Sequence, residues 1–149
     1  MENYIDQAER VIKDLPPRQH SNQNKRQRNR RPGSKHHDDK NTNFISSTQI
    51  RKFLSMTLDV DAKIKMDEKK REKGTNDELS IEMCDEISYL RMRFAYQGGR
   101  EDKVKDFLEK SKLLESLKDI GNSKKKWNIF LRYVESLVGF HKFYYGEQK

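Results

Sequence analysis

Three consecutive lysines, Lys124, Lys125 and Lys126, follow Ser123 at the point where the last apolar period of the chain begins. Cations in the first turn of a helix oppose its macrodipole, at about 0.3–1 kcal/mol each. The same turn exposes backbone N–H groups that lack intrahelical partners, so a phosphate seated there satisfies the amides and the lysines together. Arg51 and Lys52 hold the equivalent place in an earlier helix start and point to the same chemistry. For any one of these positions a solvated side chain is the competing reading; two such clusters in one small chain favour an anion site. Arg91, Arg93 and Arg100 gather around the end of a third apolar stripe. Arg91 and Arg93 flank Phe94 on opposite sides, about 60° and 100° round the helix, which suits one to an acidic neighbour and the other to a ligand. Arg132 has Glu135 three residues on as a structural partner. Tyr89, Tyr96, Tyr133, Phe140, Phe143, Tyr144 and Tyr145 are able to stack on bases, although their helical spacing favours core or subunit interface.

Catalytic signals are nearly absent. His20, His36 and His37 lie in a polar tract with nothing to hold a base in reach of its proton. His36-His37-Asp38-Asp39 has no second ligand pair at metal-site spacing. His141 falls on an apolar face near a helix carboxyl end, where the dipole favours a cationic imidazole, and reads as a satisfied, half-buried histidine. Cys84 sits among core-facing positions as a small apolar residue. Gly98-Gly99-Arg100 is too short for a phosphate-binding glycine loop and reads as a helix stop. No enzyme activity, metal or cofactor is expected.

The elements that position the cations follow from a hydrophobic period that is helical throughout. Tyr4, Ile5, Ala8, Val11, Ile12 and Leu15 define a short first helix stopped by Pro16-Pro17. Ser46 and Gln49 have capping-box spacing and open a second helix with Ile50, Phe53, Leu54, Leu58 and Ile64 inward, running out to Gly74. Thr75 and Glu78 repeat that spacing before Leu79, Met83, Ile87, Leu90 and Phe94, and Gly98-Gly99 ends this third helix. A fourth carries Val104, Phe107, Leu108, Leu114 and Leu117 up to Gly121. The last starts near Ser123 with Trp127, Phe130, Leu131, Val134, Leu137, Val138 and His141 on one side, and Gly146 closes it. No segment alternates with period two. The expected fold is all-α, a compact antiparallel bundle of four to five helices.

The chain has 149 residues, 32 Lys+Arg against 24 Asp+Glu and a net charge of +8. Charged residues make up 38%, against roughly 25% in an average soluble domain. Residues 16 to 43 contain no hydrophobic residue and carry +6, so they bury nothing to offset an ordering cost of about 1–2 kcal/mol per residue and are expected to be a disordered loop. Three parts follow: a helix over 1–15 that docks on the bundle, a basic linker over 16–44, and a bundle over 45–149. One cysteine, the acidic start of the chain and the lack of a long apolar run point to a cytoplasmic protein with an anionic partner and no membrane span.

Three runs carry a resemblance. They are Ser47-Thr48-Gln49-Ile50-Arg51-Lys52-Phe53-Leu54, then the stretch from Tyr89-Leu90-Arg91-Met92-Arg93-Phe94 through Ala95-Tyr96-Gln97-Gly98-Gly99-Arg100-Glu101, then Phe130-Leu131-Arg132-Tyr133-Val134-Glu135-Ser136-Leu137-Val138-Gly139-Phe140-His141-Lys142-Phe143-Tyr144. In this order and with these gaps the chain resembles the small subunit of the type III-A CRISPR Csm effector complex, over most of Ile45 to Gly146 plus the first helix. The Arg18–Lys40 tract is longer and more charged than that family's pattern. The resemblance implies an all-α, non-catalytic subunit that stacks head-to-tail in several copies of itself beside the backbone and large subunits. Its basic face would line the channel holding the CRISPR RNA and target RNA. Target cleavage would belong to the backbone subunit, and DNA cleavage and cyclic-oligoadenylate synthesis to the large one. The RNA-contacting set is then expected to be Arg51, Lys52, Arg91, Arg93, Arg100, Lys124, Lys125, Lys126, Arg132 and Lys142.

Two other readings compete. The fourth helix, the Gly121-Asn122 turn and the Lys-rich start of the fifth have the outline of a helix-turn-helix DNA-binding motif, but only Asn128 joins the lysines as a base reader. The other is a helical protein–protein adaptor whose basic charge aids solubility or meets acidic proteins.

Overall fold

The computed structural model describes residues 3–16, 44–71 and 78–146. The expected disordered tract falls outside the described residues but for Pro16, and so do Gly74 and Thr75. Six helices follow in order: α1 (Tyr4–Lys13), α2 (Ser47–Arg71), α3 (Ile81–Arg100), α4 (Asp102–Ser111), α5 (Leu113–Asp119) and α6 (Lys124–Tyr145). Among the described residues the one strand-like feature is an isolated bridge between Glu78 and Ser123. The chain is all-α, as its periodicity requires. No described helix is long and apolar enough to cross a membrane.

Local chemistry sets most helix starts. At α2 the Gln49 N–H donates to Ser46 Oγ at 3.1 Å and the Ser46 N–H to Gln49 Oε1 at 3.0 Å, a complete capping box. Ser123 caps α6 by accepting from the Lys126 N–H. The third helix begins later than Thr75–Glu78 implies. Leu79 donates its N–H to the Asn122 carbonyl at 2.8 Å, which holds Glu78 and Leu79 extended, and Ser80 is the cap that accepts from Met83 N–H. Nor does Gly98-Gly99 stop α3, which continues to Arg100. Gly98 serves close approach instead: a Cβ there would lie 2.8 Å from Leu108 Cδ1 of α4. The expected fourth helix is two, because Lys112 takes a left-handed conformation (φ 59°) between α4 and α5. That kink buries Leu113 and Leu117.

Contacts between helices fix their directions. Lys52 meets Gln97 and Lys63 meets Glu86, so α2 and α3 are antiparallel. Ile45 and Asp61 meet His141 and Trp127, so α2 and α6 are antiparallel as well. α1 runs alongside α6 in the same sense, with Gln7 donating to the Tyr133 hydroxyl and Tyr145 donating to the Ile12 carbonyl. Between them lies an aromatic core. Phe53 meets Phe94 edge-on at 4.6 Å between ring centroids, and Phe130 lies 5.7 Å from the fully buried Trp127. Each such ring contributes roughly 1.5–3 kcal/mol through burial. Leu58, expected inward, is 43% exposed. α2 is gripped by α3 and α6 together, so Met56, Thr57, Val60 and Asp61 take the buried places and Leu58 turns outward.

Candidate nucleic-acid interface

The ten expected site residues do not converge on one spot. Lys124 to Lys126 lie beside the far end of α2, where Glu68 is, whereas Arg51 and Lys52 lie at its start. The 16 residues from Lys52 to Glu68 place the two clusters about 24 Å apart along the α2 axis.

At the α6 start the lysines are largely engaged. Lys124 Nζ pairs with Glu68 at 2.6 Å, joining α6 to α2. Lys126 Nζ lies 3.4 Å from Asp119. Lys125 is exposed and makes no ion pair with any described residue.

The α2 start is different. Lys52 reaches only the neutral Gln97, at 3.5 Å, and exposed Arg51 has no acidic partner among the described residues. Arg100, from the end of α3, joins them across an open cleft of about 290 Å³ lined by Thr48, Gln49, Lys52, Gln97, Arg100 and Glu101, among others. Arg100 holds its guanidinium 5.8 Å from the centre of the Tyr96 ring. Gln49 also hydrogen-bonds Glu101, so the one carboxylate in the cleft is partly occupied. Lys142, exposed, belongs to the same end of the bundle, because its neighbour His141 contacts Ile45 just ahead of α2.

The remaining arginines are scattered. Arg93 is exposed and Arg91 half-buried, and neither pairs with an acid among the described residues, so the acidic neighbour expected for one of them is not there. Arg132 is exposed and does not pair with Glu135; its carbonyl instead accepts from the Ser136 hydroxyl. Gln49, Gln97 and Thr48 line the cleft, and the sequence pattern misses that role. Gln49 is legible only as a cap, and the cleft exists only once the α2 start meets the α3 end.

His141 departs from expectation. It is 3% exposed, bonded through Nε2 to the Ile45 carbonyl at 2.9 Å and packed edge-on against Tyr145. Burial pushes its pKa below the ordinary histidine value, partly countered by that hydrogen bond. The shift favours the neutral imidazole, because desolvation outweighs the backbone hydrogen bond. Cys84 keeps its proton: burial, then the Glu78 carboxylate, push its thiol pKa up.

The family model for type III-A Csm2 matches residues 27–147. The chain is 35% identical to the "CRISPR system Cms protein Csm2" of Streptococcus thermophilus over 146 residues, 98% of this chain and 94% of that one. A protein of the same name from Mycobacterium tuberculosis (strain H37Rv) is 34% identical over 142 residues, 95% of this chain and 91% of its own. The chain belongs to the type III-A Csm2 family. The resemblance to the Csm small subunit is thereby borne out, and the match extends into the basic tract from residue 27. A third Csm2 protein, from Enterococcus italicus, is 32% identical over 105 residues, covering 68% of this chain and 69% of its own length.

Proposed function

We propose that this Csm2-family chain is a non-catalytic, RNA-binding subunit of a type III-A CRISPR ribonucleoprotein. It stacks head-to-tail in several copies along the guide–target RNA duplex, beside the backbone and large subunits, and contacts the sugar-phosphate spine. The observation that supports this most directly is the set of cations with no acid to neutralise them among the described residues: exposed Arg51, Arg93, Lys125, Arg132 and Lys142, with Lys52 and Arg100 at the cleft. Unpaired cations neutralise phosphate without demanding a particular base. A subunit serving a guide whose sequence changes with every spacer needs that indifference, since base pairing already reads the sequence. The one histidine among the described residues is buried, neutral and bonded to backbone, which fits binding rather than proton transfer.

Each phosphate engaged contributes about −0.7 to −0.9 to the slope of log K against log salt. A single copy engaging a few phosphates binds weakly, and linked copies raise the affinity. The test is a gel shift of the assembled complex with two unrelated guides and their targets. Alanines at Arg51 and Lys52 should weaken both targets alike and flatten the salt dependence by about 0.7–0.9 for each phosphate that is no longer neutralised. A loss confined to one guide would refute backbone recognition.

A further inference from the structure

Tyr89, Met92 and Tyr96 stand on the outer face of α3 at 58%, 49% and 61% exposure. Tyr89 and Tyr96 are seven residues apart, two helical turns, so they point the same way about 10.5 Å apart along the axis. Arg93 lies between them on that side, and Arg100 follows one turn after Tyr96, over its ring. From Ile87 to Arg100 the helix carries three arginines and no acid; Asp85 and Glu86, just ahead of Ile87, mark where the basic stretch stops. Among the described residues neither hydroxyl has a partner. The tyrosines of α6 are tied instead: Tyr133 donates to the Ser111 carbonyl, Tyr144 to Glu9 and Tyr145 to the Ile12 carbonyl. Two aromatic platforms in line, with cations beside each, make the arrangement that holds single-stranded nucleic acid by base stacking with backbone neutralisation.

We propose that the outer face of α3 binds unpaired nucleotides, with Tyr89 and Tyr96 each stacking on a base and Arg93 and Arg100 neutralising the adjoining phosphates. This rests on the RNA-binding reading above and adds a second mode, because a paired duplex offers no free base faces. The charge of the strip selects the occupant: three arginines with no acid between Ile87 and Arg100 suit a polyanion.

The probes are a twelve-nucleotide oligoadenylate and an abasic ribose-phosphate strand of equal length, titrated against the full chain at low salt by fluorescence anisotropy. The wild-type protein should bind oligoadenylate more tightly than the abasic strand. Tyr89→Ala and Tyr96→Ala should each lower oligoadenylate affinity by about fivefold or more, leaving the abasic strand unaffected. Tyr→Phe at both positions should retain the preference. Both sites are exposed, so circular dichroism of the alanine variants should match the wild type. Equal wild-type affinity for the two strands overturns the proposal, as does an alanine effect on sedimentation with none on RNA, which assigns the face to a second copy. Arg51→Ala with Lys52→Ala should weaken both strands equally. If that effect persists while the adenylate preference is absent, stacking fails and backbone binding stands; if neither strand binds, both readings fall.

Discussion

At the start of α6, Glu68 and Asp119 hold two of three lysines, while at the start of α2 Arg51 faces no acid among the described residues and Lys52 meets only an amide. Both segments read alike in sequence, as cations opening a helix. Tertiary packing separates them. The α6 start is drawn against the far end of α2, where Asp61 accepts from Trp127 Nε1 at 2.9 Å and Glu68 takes Lys124. The α2 start meets the end of α3 and the last turns of α6, which bring Gln97, Arg100 and Lys142 rather than carboxylates free to pair. A cation at a helix start therefore marks an anion site only where the neighbouring element supplies no acid of its own.

The largest test of this contrast is at the structural end. Trp127→Ala removes a fully buried ring and leaves the buried Asp61 without its indole donor. It should cost about 3–5 kcal/mol, read from urea unfolding. A loss below about 1 kcal/mol would mean that this end does not clamp α6 to α2. A sharper test converts one end into the other. Glu68→Gln releases Lys124, and should steepen the salt dependence of RNA binding by about 0.7–0.9 while costing at most about 1 kcal/mol of stability. An unchanged slope would show that the α6 start does not face RNA at all. The opposite end is tested through pH, at His141. Its folded pKa is lowered, so the unfolded chain takes up the proton first as pH falls through about 6.5. Wild-type stability should be fully present above that pH and decline below it, by at most about 1.4 kcal/mol per pH unit. His141→Gln should remove this part of the pH dependence in unfolding midpoints measured at pH 7.5, 6 and 5.

Much of the scaffold was legible from spacing alone. The Ser46–Gln49 box, the Ser123 cap and the stripe from Ile87 to Phe94 depend on residues close in the chain, and each acts as its pattern implies. What escaped was long-range. Leu58 lies outward because two helices choose which side of α2 is inside. The α3 start moved to Ser80 because Leu79 binds Asn122, and Lys112 splits a continuous apolar period with no glycine to announce it. The candidate site divides the same way. Its cation identities were readable, but Glu68, 56 residues from Lys124, carries no local mark of the pairing that removes that lysine from the unpaired set.

Tyr145 has a consequence for the basic tract. Its hydroxyl donates to the Ile12 carbonyl and its ring lies 4.8 Å from that of Phe44, so one side chain touches both banks from which residues 17–43 depart and return. The two anchor points are fixed side by side, at the end of the bundle that also carries Lys142, irrespective of what lies between. Closing a loop costs only about 0.6 kcal/mol more for each doubling of its length. A change in the length of that tract therefore leaves both anchor points, and the register of the bundle behind them, where Tyr145 fixes them.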